Sequence, residues 1–276
     1  MRGNQHALAV AAKPPRRKAM SSALLIGNRI ERHDVVASTN DLARDAAERG
    51  AAEGLVITAE EQTAGRGRMG RQWFAPRTSS LQLSVVLRPP LAPMHASRAV
   101  RMAALAVANT LERHLRLTPT LKWSNDVLLD GKKCAGILLE SSVSGDRLDY
   151  IILGIGLNVN FSMREFPELL PFATTLQDVL GHRVERGELE NALLAELNTL
   201  YARLRQGADF VDEYRARLTM LGQPIHVATP TEILKGIARD ITDDGALILE
   251  QNDTRVKLYA GDVTILKGNA SSPLAS

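Results

Sequence analysis

The sequence predicts an α+β fold, a mainly antiparallel sheet with flanking helices, followed by a small all-β unit. Three observations carry this expectation. Segments with a strand's period of two are interleaved with segments of helical period up to about Leu218. Short glycine-bearing turns join neighbouring strands as hairpins, and after Gly222 the helical period disappears.

Taken in order, Ser38-Thr39-Asn40-Asp41 matches a capping box ahead of an amphipathic helix over Asp41–Arg49, which Gly50 stops. Leu55–Gln62 reads as a strand running into the glycine-rich segment Gly65–Arg71. Leu81–Leu87, bounded by Pro89-Pro90, alternates as a second strand, and Ser97 caps a long apolar-faced helix to about His114. Asp126–Glu140 reads as a hairpin whose turn, Asp130-Gly131, suits the twist of paired strands. Asp149–Val159 is a further strand, interrupted by Gly154 and Gly156. Helical patterns follow over Glu188–Leu204 and Phe210–Leu218, and Gly222 ends the second.

Beyond that point Ile225–Ala228, Ile233–Ile241, Ala246–Glu250, Arg255–Tyr259 and Val263–Leu266 read as short strands, punctuated by Asp244-Gly245 and Asn252-Asp253. Short strands in close succession with no helical period predict a small β-barrel of the SH3-like kind. The expected organisation is a disordered basic extension over 1–28, a main domain over 29–221 and the barrel over 222–268.

Composition narrows the function classes. Cys134 is the one cysteine, so no intramolecular disulfide can form, and no Cys/His cluster has zinc-site spacing; both fit a reducing cytoplasm. No apolar run approaches the ~18 residues of a membrane helix. The formal charge of +3 is local: Arg2, Lys13, Arg16, Arg17 and Lys18 precede Met20 with no acid among them, leaving 29 bases against 31 acids in the rest. The folded part is therefore slightly acidic, and its overall charge argues for no nucleic-acid face. Trp123 is expected in the core, and Cys134 as a small buried apolar residue. No G-x-S-x-G is present, which removes the usual serine hydrolase.

The chemistry is concentrated in Gly65–Arg71. Gly65, Gly67 and Gly70 satisfy G-x-G-x-x-G, but Gln72-Trp73-Phe74-Ala75-Pro76 is no helix start, so the dinucleotide reading lacks its structural context. Glycines allow close backbone approach, and Arg66, Arg68 and Arg71 supply planar charged forks suited to carboxylate and phosphate oxygens. Three clustered guanidinium groups repel one another, so the segment is expected to be mobile until an anion orders it, with Trp73 as part of the lid.

Thr63-Ala64-Gly65-Arg66-Gly67-Arg68-Met69-Gly70-Arg71 with Trp73 resembles the adenylate-binding loop of the biotin-protein ligases. Ser38-Thr39-Asn40, Lys122-Trp123-Ser124-Asn125-Asp126, Lys133-Cys134-Ala135-Gly136-Ile137-Leu138 and Gly154-Ile155-Gly156-Leu157-Asn158-Val159 follow that family's order. Ser124 stands where proline is common and Met69 where a polar or basic residue is usual. The resemblance implies a domain of the class II aminoacyl-tRNA synthetase and biotin-ligase kind, and an enzyme that activates biotin with ATP and Mg2+ and transfers it to a lysine. The implied acceptor is the biotin carrier protein of acetyl-CoA carboxylase or of another biotin-dependent carboxylase. No sequence-specific DNA binding is expected, because no helix pair is apparent ahead of the first core strand; a homodimer stays open.

Carried over position by position, the resemblance assigns Ser38, Thr39, Asn40, Gln62, Gly65, Arg66, Arg68, Trp73, Lys133, Gly136, Leu138 and Gly154 to the biotin site. It assigns Arg66, Arg68, Arg71, Asn125, Lys133 and Asn158 to ATP and the adenylate. Arg68, Lys133 and Asp126 are the implied catalytic residues, with Asp126 facing the acceptor amine; metal ligands are not identifiable. Two alternatives stay open at this level, a lipoate-protein ligase of the same fold and a non-catalytic biotin or adenylate sensor.

Overall fold

The computed structural model describes residues 25–252 and 254–266. Residues 1–24, which hold most of the expected basic extension, and Asp253 of the expected Asn252-Asp253 turn lie outside the described residues. Residues 25–28 correct the expected boundary of that extension. Ile26 is fully buried, exchanges backbone hydrogen bonds with the Asn198 side chain at 2.9 and 2.7 Å, and belongs to the core.

The first sheet has seven strands in the order β1-β2-β3-β7-β6-β5-β4. These are β1 (Arg29–Val36), β2 (Leu55–Gln62), β3 (Ser80–Leu87), β4 (Thr120–Lys122), β5 (Asp126–Leu129), β6 (Lys132–Ser144) and β7 (Arg147–Asn158). Only the β1 and β2 pair is parallel, joined by the crossover helix α1 (Thr39–Glu48); every other pairing is antiparallel. The β5-β6 hairpin turns at Asp130 (φ 49°) and Gly131 (φ 74°), the left-handed pair expected there. α2 (Ser97–Leu115) presents an alanine-rich stripe to the sheet, and α4 (Arg186–Arg205) packs against α2 through Leu189, Leu193, Leu197 and Leu204. The short helices α3 (Leu176–Leu180) and α5 (Val211–Arg215) complete this layer.

A second sheet of five strands follows, β8 (Pro224–Ala228), β9 (Ile233–Ile241), β10 (Leu247–Gln251), β11 (Thr254–Leu258) and β12 (Asp262–Ile265), wholly antiparallel in the order β11-β10-β9-β8-β12. Its inward residues Ile225, Val227, Ala238, Leu247 and Leu249 join the same buried cluster as the first sheet, so one continuous core holds both. Trp123, 3% exposed, stands at the junction and donates its indole N–H to the Gly245 carbonyl at 3.0 Å.

Several local expectations change. The first helix begins at Thr39, and Ser38 takes the extended N-cap conformation without a side-chain cap bond. Its first-turn amide is satisfied from outside, because Thr39 N–H donates to Gln62 Oε1 of β2 at 2.8 Å. Ser97 does not cap α2; its hydroxyl donates to the Asp244 carbonyl of the second sheet at 2.9 Å. The final helix contracts to Val211–Arg215. β4 and α3 span three and five residues, too few to leave a period in the sequence.

Candidate active site

Where β2, β3, β6 and β7 lie side by side, their small and polar residues form the floor of a cavity. Gln62 Oε1 accepts from Thr39 N–H and, at 3.0 Å, from Thr39 Oγ1, while Gln62 Nε2 donates to Gln82 Oε1 at 2.9 Å. The fully buried Ser84 hydroxyl lies 2.8 Å from Thr39 Oγ1 and 2.6 Å from Asn40 Oδ1. Buried polar groups hold one another in fixed orientations here, which is what a selective polar ligand requires. Gln82 and Ser84 carry no motif of their own. Their only signal is a polar residue at every second position of β3, on the face toward α1.

Two glycines permit close approach. A Cβ on Gly154 would stand 2.3 Å from Asn40 Oδ1, and one on Gly156 would stand 2.4 Å from Cε2 of Trp73. The Trp73 indole therefore lies flat on the β7 backbone, and the Lys133 ammonium sits 5.8 Å from its ring centroid. Gly156 belongs with the site residues although the glycines expected there were Gly65, Gly136 and Gly154. With the ring in place the polar cavity holds about 50 Å³, room for a few water molecules.

The guanidinium groups are not left to repel one another. Arg66 reaches Asp41 at 2.8 Å and Glu140 at 2.9 Å, and Arg71 reaches Asp262 of β12 at 2.5 Å. Arg68 Nη1 donates to Asn125 Oδ1 at 3.1 Å, and Asn125 Nδ2 donates to the Ile137 carbonyl at 2.8 Å. The three guanidinium groups thus have internal acceptors, which offset the mutual repulsion expected of them. Asp41 and Glu140, missed in the sequence, are those acceptors for Arg66. Burial draws the Arg68 guanidinium below its ordinary pKa, with Asp126 opposing the shift.

Asp126, 7% exposed, is held between Lys133 (2.7 Å) and Lys122 (3.5 Å). The expected biotin-site residues line the polar cavity with the exception of Gly65, which lies behind it against the Trp73 carbonyl. Arg66, Arg68, Asn125 and Lys133 of the expected nucleotide set line it too. Asn158 and Arg71 do not. Asn158 lines a neighbouring cavity of about 480 Å³ with Phe74, Phe161, Met163 and Phe166, and Trp73 and Lys133 form the wall between the two. Arg71 and Asp126 line a third recess that opens beside Asp262. Cys134 is fully buried, and burial pushes its thiol up to about 12, so it is no nucleophile.

Among the described residues no group of three or more His, Cys, Asp or Glu converges as a metal site, and no helix is long and apolar enough to cross a membrane.

Comparison with known proteins places this arrangement. Residues 33–158 match the biotin/lipoate A/B protein ligase family, and residues 220–266 match the biotin protein ligase C-terminal domain. The chain is 37% identical over 244 residues to the biotin--[acetyl-CoA-carboxylase] ligase of Mycobacterium tuberculosis, covering 85% of this chain and 89% of that one. It is 32% identical over 244 residues to the bifunctional ligase/repressor BirA of Bacillus subtilis, covering 87% and 75%. The structure of the biotin protein ligase from Aquifex aeolicus in complex with biotin and ATP superposes with a TM-score of 0.72 at 25% identity, over 87% of this chain and 99% of that one. With both family models in sequence order on two sheets that share one core, this chain belongs to the biotin/lipoate A/B protein ligase family.

Proposed function

We propose that this protein activates biotin with ATP to biotinyl-5'-AMP and transfers the biotinyl group to a lysine of the biotin carrier protein of acetyl-CoA carboxylase or another biotin-dependent carboxylase. The observation that carries the reading is that Lys133 and Trp73 wall two cavities at once, one polar and one aromatic. A carboxylate from the first and a phosphate from the second meet at the Lys133 ammonium and the Arg68 guanidinium.

In this reading Ser38, Thr39, Asn40 and Gln62 hydrogen-bond the ureido ring, and Leu138 and Gly154 shape its seat. Asn158 and the phenylalanines around it take the adenine. Two anions must approach for the carboxylate to reach the α-phosphate, and Arg66, Arg68 and Lys133 offset their repulsion. Arg66 can turn from Glu140 to a substrate carboxylate without losing a charged partner. The mixed anhydride is sensitive to water, so a seated strap with Trp73 beneath it protects the intermediate. Biotin enters by lifting Trp73 from Gly156. The acceptor amine, protonated at neutral pH with a reference pKa of ~10.4, needs a base, and Asp126 is the carboxylate at hand.

Magnesium would neutralise phosphate charge as part of the nucleotide complex. The described residues offer it no cluster of carboxylates. The finer description of the fold goes with the same reading: a catalytic domain of the class II aminoacyl-tRNA synthetase kind over 29–221, and an SH3-like barrel over 222–268 that reaches the strap through Asp262. The reading includes a cytoplasmic location and no sequence-specific DNA binding; an operator-binding signal from the purified chain would contradict the latter.

The test is to mix the protein with ATP, magnesium, biotin and a carrier domain and to seek the biotinyl mass on one lysine. A parallel mixture with lipoate separates the two acids. Labelling by lipoate alone, or none with either acid, overturns the assignment.

A further inference from the structure

The cavity behind Arg68 is not used by the reading above. It lies between α2, residues 123–125 and the second sheet, has a volume of about 240 Å³, and shares Arg68, Asn125 and Ile137 with the polar cavity. Its wall carries Arg101, a guanidinium only 3% exposed. Arg101 Nε donates to the Asp209 carbonyl at 2.9 Å, Nη2 to the Asp243 carbonyl at 3.1 Å and Nη1 to Ser97 Oγ at 3.3 Å. All three acceptors are neutral. Among the described residues neither Arg101 nor Arg68 makes an ion pair, although a buried cation without a counter-charge is costly.

A second, independent feature points the same way. Tyr214 is 1% exposed, lines this cavity, and its hydroxyl has no hydrogen-bond partner. An unpaired buried hydroxyl destabilises a fold, so its retention asks for a ligand that it meets. No acidic side chain lines the cavity. The recess on the other side of Arg68 differs in kind: Asp126 and Asp262 stand in its wall, each paired with a cation there, Lys133 and Arg71.

We propose that the cavity walled by Arg68, Arg101 and Tyr214 receives the pyrophosphoryl end of ATP and holds pyrophosphate as it leaves. This rests on the ligase reading. An oxygen of the substrate carboxylate forms a bond to the α-phosphorus, the bond from that phosphorus to the oxygen bridging to the β-phosphorus breaks, and its electron pair leaves with pyrophosphate; no proton moves. Arg68 stands at the breaking bond, and Arg101 and Tyr214 take the charge that departs. The recess that holds Asp126 is then free for the acceptor amine, so the amine and the pyrophosphate use opposite sides of one arginine.

The test uses the purified full chain and sodium pyrophosphate, titrated by calorimetry, with sodium phosphate and sulfate as parallel probes. Tyr214→Phe removes one unpaired hydroxyl and leaves the packing. It is expected to melt no lower than the parent while binding pyrophosphate about tenfold more weakly, the loss of one hydrogen bond to a charged group. Its inhibition constant for pyrophosphate in the labelling assay should rise by the same factor, with the KM for biotin unchanged. Arg101→Lys, which keeps the charge, should retain more affinity than Arg101→Gln. Equal pyrophosphate binding by parent and Tyr214→Phe, or no binding by the parent, overturns the proposal. If the parent labels the carrier while pyrophosphate ignores Tyr214, only this cavity is misassigned; if the parent labels nothing, the ligase reading falls whatever the titration gives.

Discussion

The Lys133 ammonium lies 2.7 Å from Oδ1 of Asp126, a carboxylate 7% exposed that Lys122 also reaches at 3.5 Å. In the proposed function the pair would couple the two half-reactions, with Lys133 serving the phosphate and Asp126, in the wall of the same recess, serving the incoming amine. Asp126→Asn keeps the volume and removes the base. Transfer to the carrier lysine should slow by about 10²-fold or more, the usual scale of general-base catalysis, while adenylate formation continues. Single-turnover measurement of both steps checks this, and equal slowing of the two would make Asp126 only a support for Lys133.

Gly156 pairs with Gln82 on one side and Gly136 on the other, so its backbone cannot retreat from a new side chain. In Gly156→Ala the methyl would stand 2.4 Å from the Trp73 ring, and the ring has to leave. The expected cost is about 1–3 kcal/mol of stability, typical of overpacking, with faster tryptic cleavage after Arg66, Arg68 or Arg71 and a large loss of labelling. Unchanged protection from trypsin would mean that Trp73 does not hold the strap down.

Asp262 ties the strap to the second sheet through Arg71, whose side chain is 63% exposed against 29% for Asp262. An ion pair this exposed contributes about 1 kcal/mol or less, so Asp262→Ala should leave the melting temperature nearly unchanged. What should change is retention: more free biotinyl adenylate in the medium at equal ATP consumption. A variant that retains the intermediate as the parent does would show the contact to be incidental.

Alkaline pH should unfold the protein in a definite window. Burial raises the Cys134 thiol from an ordinary 9.0 to about 12, and burial likewise raises the Tyr214 and Tyr201 phenols. Each group has a folded pKa above its unfolded value. The Cys134 contribution is therefore complete below pH 9.0 and is lost as pH rises toward about 12, and the loss from the two tyrosines begins later, from their ordinary value of 10.0 upward. Chemical denaturation at stepwise pH should give a flat stability near neutrality and a decline beginning about pH 9, and iodoacetamide should label Cys134 only in the unfolded chain.

The sequence by itself determined the identity of the strap and the order of the elements other than β1, β4 and α3. Strand alternation, left-handed turn pairs such as Asp130-Gly131 and the long stripe of α2 are local properties, readable within a few residues of each other. Ser38-Thr39-Asn40, Gln62 and the Lys133 to Leu138 run could be named because motifs lie in consecutive positions. The tertiary structure alone decided which charges meet. Glu140 neutralises Arg66 across 74 positions, Asp262 holds Arg71 across 191, and Gln62 caps a helix that starts 23 residues before it. Electrostatic and hydrogen-bond partners are chosen by distance in space, which sheet register fixes and sequence separation does not, so Arg101 and Tyr214 carry no motif although they wall one cavity.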